Sequence, residues 1–515
     1  MLKRLLIFVH RWLGAAVTVM LTLWFSSGIV MMYHGFPEIT MRQRLAHEQT
    51  LAPETIKVSP GEAAGIAHAP GVAPVRLAMF AGRPAYLFPG VTVYADTGSE
   101  QRTMDSATIA RAAAAWAGEP AGQARSELLT TPDQWTLSAE YQFLFPMQKF
   151  SWPDGQQVYV QRETADVVQY TTTSSRGWAY VGAIPHWLYF GPLREHSSEW
   201  LATMKWAAIT GSCTGVLGLV VGVWVYSPRR RYRYNGAPAR IPYRTWKRWH
   251  TVVGLIFGVV TITWSFSGLL SMGPFPFMRR LTEATIASAE SSDKSLELDH
   301  VVLGAALPLA EYASKPAPLA LASLDGFPVK EFDYVSLDGV PMYIASGARQ
   351  TRIVPISGSP TASFDAGDLM RRIERTNGPN IADMRLMTDY DRYYVDRRGD
   401  LPLPVIRVSL NDAVGTRYYI DPATASIVNS YSARGWVHRW LFHGLHSMNL
   451  PWMYKYRPLW DVVMIALLLG GALLCATSLV LTVRLLARKV RWVLRRVLPQ
   501  PRQHSWPDRT ADEVR

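Results

Sequence analysis

Four long stretches nearly empty of charge decide most of what this chain can become. They run over residues 12–37, 206–228, 249–278 and 462–483, and the first, WLGAAVTVMLTLWFSSGIVMMYHGFP, holds no Asp, Glu, Lys or Arg. A helix rises 1.5 Å per residue, so about 20 apolar residues cross a hydrocarbon core of about 30 Å. Each stretch is long enough. Only 18% of the 515 residues are charged, against about a quarter in an ordinary soluble domain. A cleavable signal peptide is the alternative for the first stretch. Its apolar run exceeds the usual h-region of about 7–15 residues, and no A-x-A site follows, so a retained helix is expected.

The charge excess fits the same picture. Lys and Arg number 53 against 40 Asp and Glu, a formal +13. Lys3, Arg4 and Arg11 precede the first stretch. The connection between the second and third carries Arg229, Arg230, Arg231, Arg233, Arg240, Arg244, Lys247 and Arg248 with no acid. Arg484, Arg488, Lys489, Arg491, Arg495 and Arg496 follow the fourth. The positive-inside rule puts these three segments in the cytoplasm and the two long connections outside. No RNA- or DNA-binding module accompanies the basic clusters, so no nucleic-acid partner is expected.

The expected organisation is a first membrane helix in 1–37, an external region in 38–198 with an interfacial aromatic segment at 177–198, and a second helix in 199–228. A basic loop at 229–245 and a third helix in 246–274 follow. A second external region covers 275–455, with a His-rich interfacial segment at 435–455, then a fourth helix in 456–486 and a basic tail in 487–515. The external regions read as β-rich, with strand–turn–strand runs such as RPAYLFPGVTVYADTGSE, DGQQVYVQRETADVVQYTTTS, DGVPMYIASGARQTRIVPISGS and TRYYIDPATASIVNSYS. An Ala-rich helix is expected at Ser106–Ala117, and the polar 500–515 is expected to be disordered.

The chain also looks duplicated. At an offset of 240 residues His10 matches His250, Gly14 matches Gly254, Trp24 matches Trp264, Ser27 matches Ser267, Gly28 matches Gly268 and Met32 matches Met272. At 260 residues His186 matches His446, Trp200 matches Trp460 and Gly211 matches Gly471. RGW recurs at 176–178 and 434–436. Both halves start in the cytoplasm, so the repeat is parallel and matched residues share a depth. His10 and His250 then lie beside the cytoplasmic charges, and His186 and His446 at the outward ends of the second and fourth helices.

Ligating groups inside or beside a membrane are costly and therefore functional candidates. Of twelve histidines, His10, His186, His250, His438, His443 and His446 fall there. Imidazole suits zinc, copper, iron and haem. Two cysteines, Cys213 and Cys475, both inside spans, exclude a disulfide framework and any Cys-based cluster; small core residues is their expected role. Gly14 and Gly254, one turn from His10 and His250, leave room for a flat macrocycle between facing helices, so a bis-His b-type haem fits better than iron–sulfur. A zinc site in WVHRWLFHGLHSM, from His438, His443 and His446, stays open as the alternative. No phosphate loop, GxGxxG or nucleophile elbow is visible.

HRWLG at 10–14, IPHWLYFGPLR at 184–194, WHTVVGLIFG at 249–258 and HGLHSMNLPWMYKYRPLWD at 443–461 together resemble the PepSY-associated transmembrane proteins, and YYIDPATASIV resembles their PepSY modules. The resemblance implies a Gram-negative inner-membrane protein: a four-helix membrane bundle with two β-rich, α+β PepSY-type regions in the periplasm. Some members are ferric-siderophore reductases with haem b in the bundle. His10, His250, His186, His446 and His443 match the family's histidine positions, while His196 and His438 are less tied to the pattern. The repeat pairs His10 with His250 and His186 with His446, with His443 able to replace either outer ligand, for two haems. Some relatives carry a fused flavoprotein reductase, and here no flavin- or NAD-binding motif is visible. The expected donor is quinol or a cytoplasmic reductase, and the expected acceptor is a ferric siderophore or another periplasmic oxidant. Two other classes compete: a membrane-anchored PepSY protease regulator or binder without redox activity, and a transporter using Ser26, Ser27, Ser265 and Ser267 at mid-membrane.

Overall fold

A computed structural model describes residues 1–273, 307–337, 339–412, 415–432, 435 and 438–497. The end of the third apolar stretch at 274–278, Arg434 and Trp436 of the second RGW, and the tail at 500–515 lie outside the described residues. Among the described residues four helices are long and apolar enough to cross a membrane: Leu2–Met31, Ser197–Val225, Thr245–Ser271 and Arg457–Val497. The chain divides into two compact units, and the division falls within these helices. One unit comprises Met1–Ser26, Ile209–Ser265 and Ala466–Arg515, the other Ser27–Ala208 and Phe266–Ile465.

In the first unit the helices bury Val17, Leu21, Phe25, Val253, Trp264 and Leu468, while Val19, Val220, Ile256, Val259 and Leu473 stay exposed on outer faces suited to lipid. Because lipid tails are as apolar as these side chains, helix association rests on close packing rather than on water exclusion. Glycine supplies the closeness. A Cβ on Gly470 would overlap the Phe257 ring, one on Gly471 would overlap Phe25, and one on Gly215 would come within 2.7 Å of Ile262. Phe25 in turn packs on Trp264 with ring centres 5.7 Å apart. Of the two cysteines, Cys475 is buried as expected, whereas Cys213 is exposed, because it points off the helix face that packs. The basic connection folds as a short hairpin, Tyr232–Tyr234 against Ala237–Ala239. Asn235 and Gly236 both take positive φ at its tip (48° and 81°), the type I′ pattern that matches strand twist.

The second unit holds the β structure. Every strand–turn–strand run read from the sequence forms strands: Arg83–Phe88 with Val91–Tyr94, Gln157–Gln161 with Val167–Thr171, Val340–Ser346 with Thr351–Pro355, and Arg417–Asp421 with Ser426–Tyr431. Two four-stranded antiparallel sheets each pack on one helix. Ser106–Ala117 inserts Ile109, Ala113 and Trp116 against Phe150 and Val158, and Ala366–Asn377 inserts Leu369 and Ile373 against Ile406 and Val408. Both helices start on an aspartate cap, Asp105 accepting from Thr108 N and Asp365 from Asp368 N.

A third sheet of seven strands takes strands from both long connections between membrane-length helices. Val75–Phe80 pairs antiparallel with Glu331–Leu337, Val75 opposite Tyr334. Its core is aromatic: Phe332 stacks on Tyr343 at 4.6 Å, with Tyr86, Tyr312 and Tyr334 around them.

At these two inner strands of the sheet Arg44 binds Glu48 and Glu331, and Arg76 binds Glu331 at 3.2 Å and Asp333 at 2.8 Å. Burial, followed by the neighbouring Glu331 carboxylate, pushes the Glu48 carboxyl up to about 7. The folded chain therefore binds this proton more tightly than the unfolded chain. Its contribution to stability is greatest at acid pH and is lost as pH rises from the ordinary glutamate range through about 7. Thermal melts in detergent between about pH 5 and about pH 8 should show a downward slope that Glu48→Gln reduces. An unchanged slope would contradict this role for Glu48.

Candidate functional site

The first unit brings together His10 of the first long helix and His250 of the third. Their ring centres lie 6.2 Å apart with planes tilted by 35°. Both rings are held from the far side by neighbouring helices. His10 Nδ1 lies 3.1 Å from the Thr214 carbonyl, which can only accept, so Nδ1 carries the proton. His250 Nδ1 lies 3.0 Å from Thr477 Oγ1. That hydroxyl already donates to the Leu474 carbonyl at 2.7 Å, so it too accepts from the ring. In both histidines the Nε2 lone pair is thereby left for a ligand.

The pair lines a cavity of about 320 Å³ walled also by Gly14, Gly218, Gly254 and Gly258. Gly218 sets the approach of His10, since a Cβ there would come 2.6 Å from the imidazole Cε1. Arg11, Lys247 and Arg488 also line this space.

The second unit makes a matching pair. His186 sits on the short helix Ala183–Trp187, and His446 follows the π-helical turn His438–Gly444. Their ring centres are again 6.2 Å apart, here with planes at 75°. His186 Nδ1 and Ser27 Oγ are 3.1 Å apart, as are His446 Nδ1 and Ser267 Oγ. The two indole N–H groups just beyond behave alike: Trp200 donates to the Trp187 carbonyl at 2.7 Å and Trp460 to the Ser447 carbonyl at 3.1 Å. Phe442 stacks on His446 at 5.2 Å and touches the His443 ring at 5.1 Å. His443 thus adjoins the second pair. His196 is separate, its Nδ1 3.1 Å from the Pro192 carbonyl.

Of the four residues that engage the rings, two escaped the sequence reading. Thr214 and Thr477 carried no signal, because a carbonyl partner has no sequence signature and a hydroxyl in a membrane helix is common. Ser27 and Ser267 do carry one, since the offset that matches His10 with His250 matches them too. Among the described residues no group of three or more His, Cys, Asp or Glu side chains could hold a metal ion.

Gly218→Ala should push His10 off the Thr214 carbonyl and lower the thermal stability of the purified protein by about 1–3 kcal/mol, the usual cost of overpacking. Gly14→Ala, whose Cβ meets Thr214 at an ordinary 3.7 Å, should be neutral or mildly stabilising. Equal melting temperatures for the two variants would contradict the geometry.

No curated protein matches this chain. A family model described as the PepSY-associated TM region matches residues 8–374, from just before His10 to within the helix that supports the last sheet. With the four membrane-length helices and the β-rich second unit, that match covers well over half of the chain, which belongs to the PepSY-associated transmembrane family.

Proposed function

We propose that this chain is an inner-membrane b-type haem electron-transfer protein that reduces a periplasmic acceptor, namely ferric iron held in a siderophore. The observation that carries the reading is the pair of bis-imidazole arrangements. Metal–imidazole bonds of about 2.0 Å, with a ring radius near 1.1 Å, put two rings on opposite sides of one ion about 6 Å apart. Both histidine pairs have that spacing, 6.2 Å. Two ligands per site are too few for zinc and the right number for the axial positions of a haem.

The chain's own residues do the positioning. Thr214, Thr477, Ser27 and Ser267 engage the Nδ1 atoms, fixing ring orientation and raising the basicity of Nε2. Gly14, Gly218, Gly254 and Gly258 present bare backbone to part of the first site's wall. His10, His250, His186 and His446 are the proposed ligands, with His443 in reserve beside the second pair. Haem b held there supplies one-electron chemistry at a potential tuned by its ligands and surroundings. The product is ferrous iron, which hard oxygen donors hold less tightly than ferric iron, so reduction releases the metal. Quinol or a cytoplasmic reductase is the donor class.

The parallel internal repeat is part of the same reading. Its support is that contacts recur at the sequence offsets: Ser27–His186 with Ser267–His446, Trp200–Trp187 with Trp460–Ser447, and the capped helices at Asp105 and Asp365. With the basic segments inside, the termini are cytoplasmic and the β-rich regions periplasmic. A PepSY protease regulator would have no need of two histidine pairs.

Protein purified in detergent should show a Soret band, and dithionite should sharpen its α and β bands. His10→Ala and His446→Ala should each remove about half of the haem, one site of two. A colourless protein would overturn the reading in favour of a non-redox binder, and full haem content in both variants would overturn the ligand assignment.

A further inference from the structure

Around the second histidine pair two guanidinium groups occupy corresponding places although they come from unrelated positions in the chain. Arg194 stands 4.7 Å from the centre of the Trp200 ring, and Arg397 stands 4.8 Å from that of Trp460. These are the two tryptophans whose indole N–H groups bond the carbonyls of Trp187 and Ser447, each the residue directly after a histidine of the pair. At the offset that matches the tryptophans, Arg194 would face Tyr454. The same arrangement has therefore been reached from different sequence positions, which a mere consequence of duplication would not require.

Both charges are short of anions. Arg194 is 7% exposed. It donates from Nη1 to Ser197 Oγ at 2.7 Å and lies over Tyr189 as well as Trp200, while its Nε is buried with no hydrogen-bond partner. Arg397 is half-buried, and burial lowers its pKa from the ordinary guanidinium value. Asp461, whose charge reaches it, is already held by Arg457 Nε at 2.7 Å and Tyr33 OH at 3.0 Å. Asp396 spends its carboxylate on the backbone N–H groups of Arg398, Asp400 and Leu401. Among the described residues neither guanidinium has a salt-bridge partner. A cation withdrawn from water without a counter-charge is unfavourable, and guanidinium is the side chain best suited to a carboxylate. Haem b carries two carboxylates, its propionates.

We propose that Arg194 and Arg397 are the anion-binding arms of the second histidine site, pairing with the two propionates of the macrocycle held between His186 and His446. This rests on the haem reading above. Loss of a positive charge beside the macrocycle stabilises its oxidised form, so the effect reads out as a potential rather than as activity.

The experiment is an optical redox titration of the purified holoprotein, with haem transfer to apomyoglobin measured in parallel. Arg194→Gln and Arg397→Gln should each move the midpoint of one haem to a more negative potential and speed its transfer about tenfold, as expected for loss of a charge-assisted bond. The other haem should be unmoved, which also controls for folding. Arg→Lys should restore most of the potential, since the charge returns. Should a Gln variant lose both haems, the parent carries the test: haem with methyl-esterified propionates should fill this site about tenfold more weakly than haem itself. Equal affinity for the ester would overturn the assignment. So would unshifted potentials in both Gln variants, including the case where the variants shed only bound phospholipid phosphate. A colourless parent would overturn the haem reading and this assignment with it, whereas a coloured parent with unshifted variants overturns this assignment alone.

Discussion

A hydrogen bond at Nδ1 of each of four imidazoles is the constraint around which the two histidine pairs are built. A histidine ring within or beside a membrane is unfavourable unless its polar atoms are satisfied. Here the Nδ1 of each ring is satisfied by a different element of the chain. The bond from His10 reaches the second long helix at Thr214, and that from His250 reaches the fourth at Thr477. Ser27 of the first helix holds His186, and Ser267 of the third holds His446. The bonds therefore tie first to second and third to fourth, while the ring pairs join the first to the third and the segments ahead of the second and fourth. Every ring is thereby oriented by an element other than its own, which fixes its plane without help from its own helix or segment.

Close packing makes these bonds attainable. Gly218 admits the His10 ring to a helix backbone, and Gly268 leaves His446 Cε1 at 3.5 Å from where a Cβ would be. In lipid, where burial of apolar area gives little drive for association, small residues at contacts do what a hydrophobic core does elsewhere. The β-rich unit is stabilised in the ordinary way, through aromatic and aliphatic cores such as Phe332 with Tyr343 and Ile406 with Val408.

Much of this was legible before any coordinates. The apolar stretches located the four long helices, and alternation with turn residues located the eight strands of the four strand–turn–strand runs but not strands such as Val75–Phe80 and Glu331–Leu337, because both signals are local. The Ser106–Ala117 helix was read to its ends, since the Ala-rich run is bracketed by Asp105 and Gly118, a cap and a stop. The seven-stranded sheet was not legible: the pairing of Val75 with Tyr334 joins residues far apart in sequence, and no local pattern records a partner. The same holds for the site. Matching offsets pair the same histidines whose rings lie 6.2 Å apart in the structure, but the Thr214 carbonyl and the arginines over Trp200 and Trp460 are facts of packing. Cys213 was misplaced because helical periodicity in a membrane helix does not distinguish a lipid face from a protein face.

The two ring pairs differ in one respect with a direct spectroscopic consequence: the planes are tilted by 35° for His10 and His250 and by 75° for His186 and His446. The electronic anisotropy of low-spin ferric haem depends on the angle between its axial imidazole planes. Low-temperature electron paramagnetic resonance of the oxidised protein should thus show two low-spin bis-imidazole signals. One should be rhombic, as for rings near parallel, and one strongly anisotropic, as for rings near perpendicular. A high-spin ferric signal, or no ferric haem signal, would contradict the account that these four histidines form two axial ligand pairs.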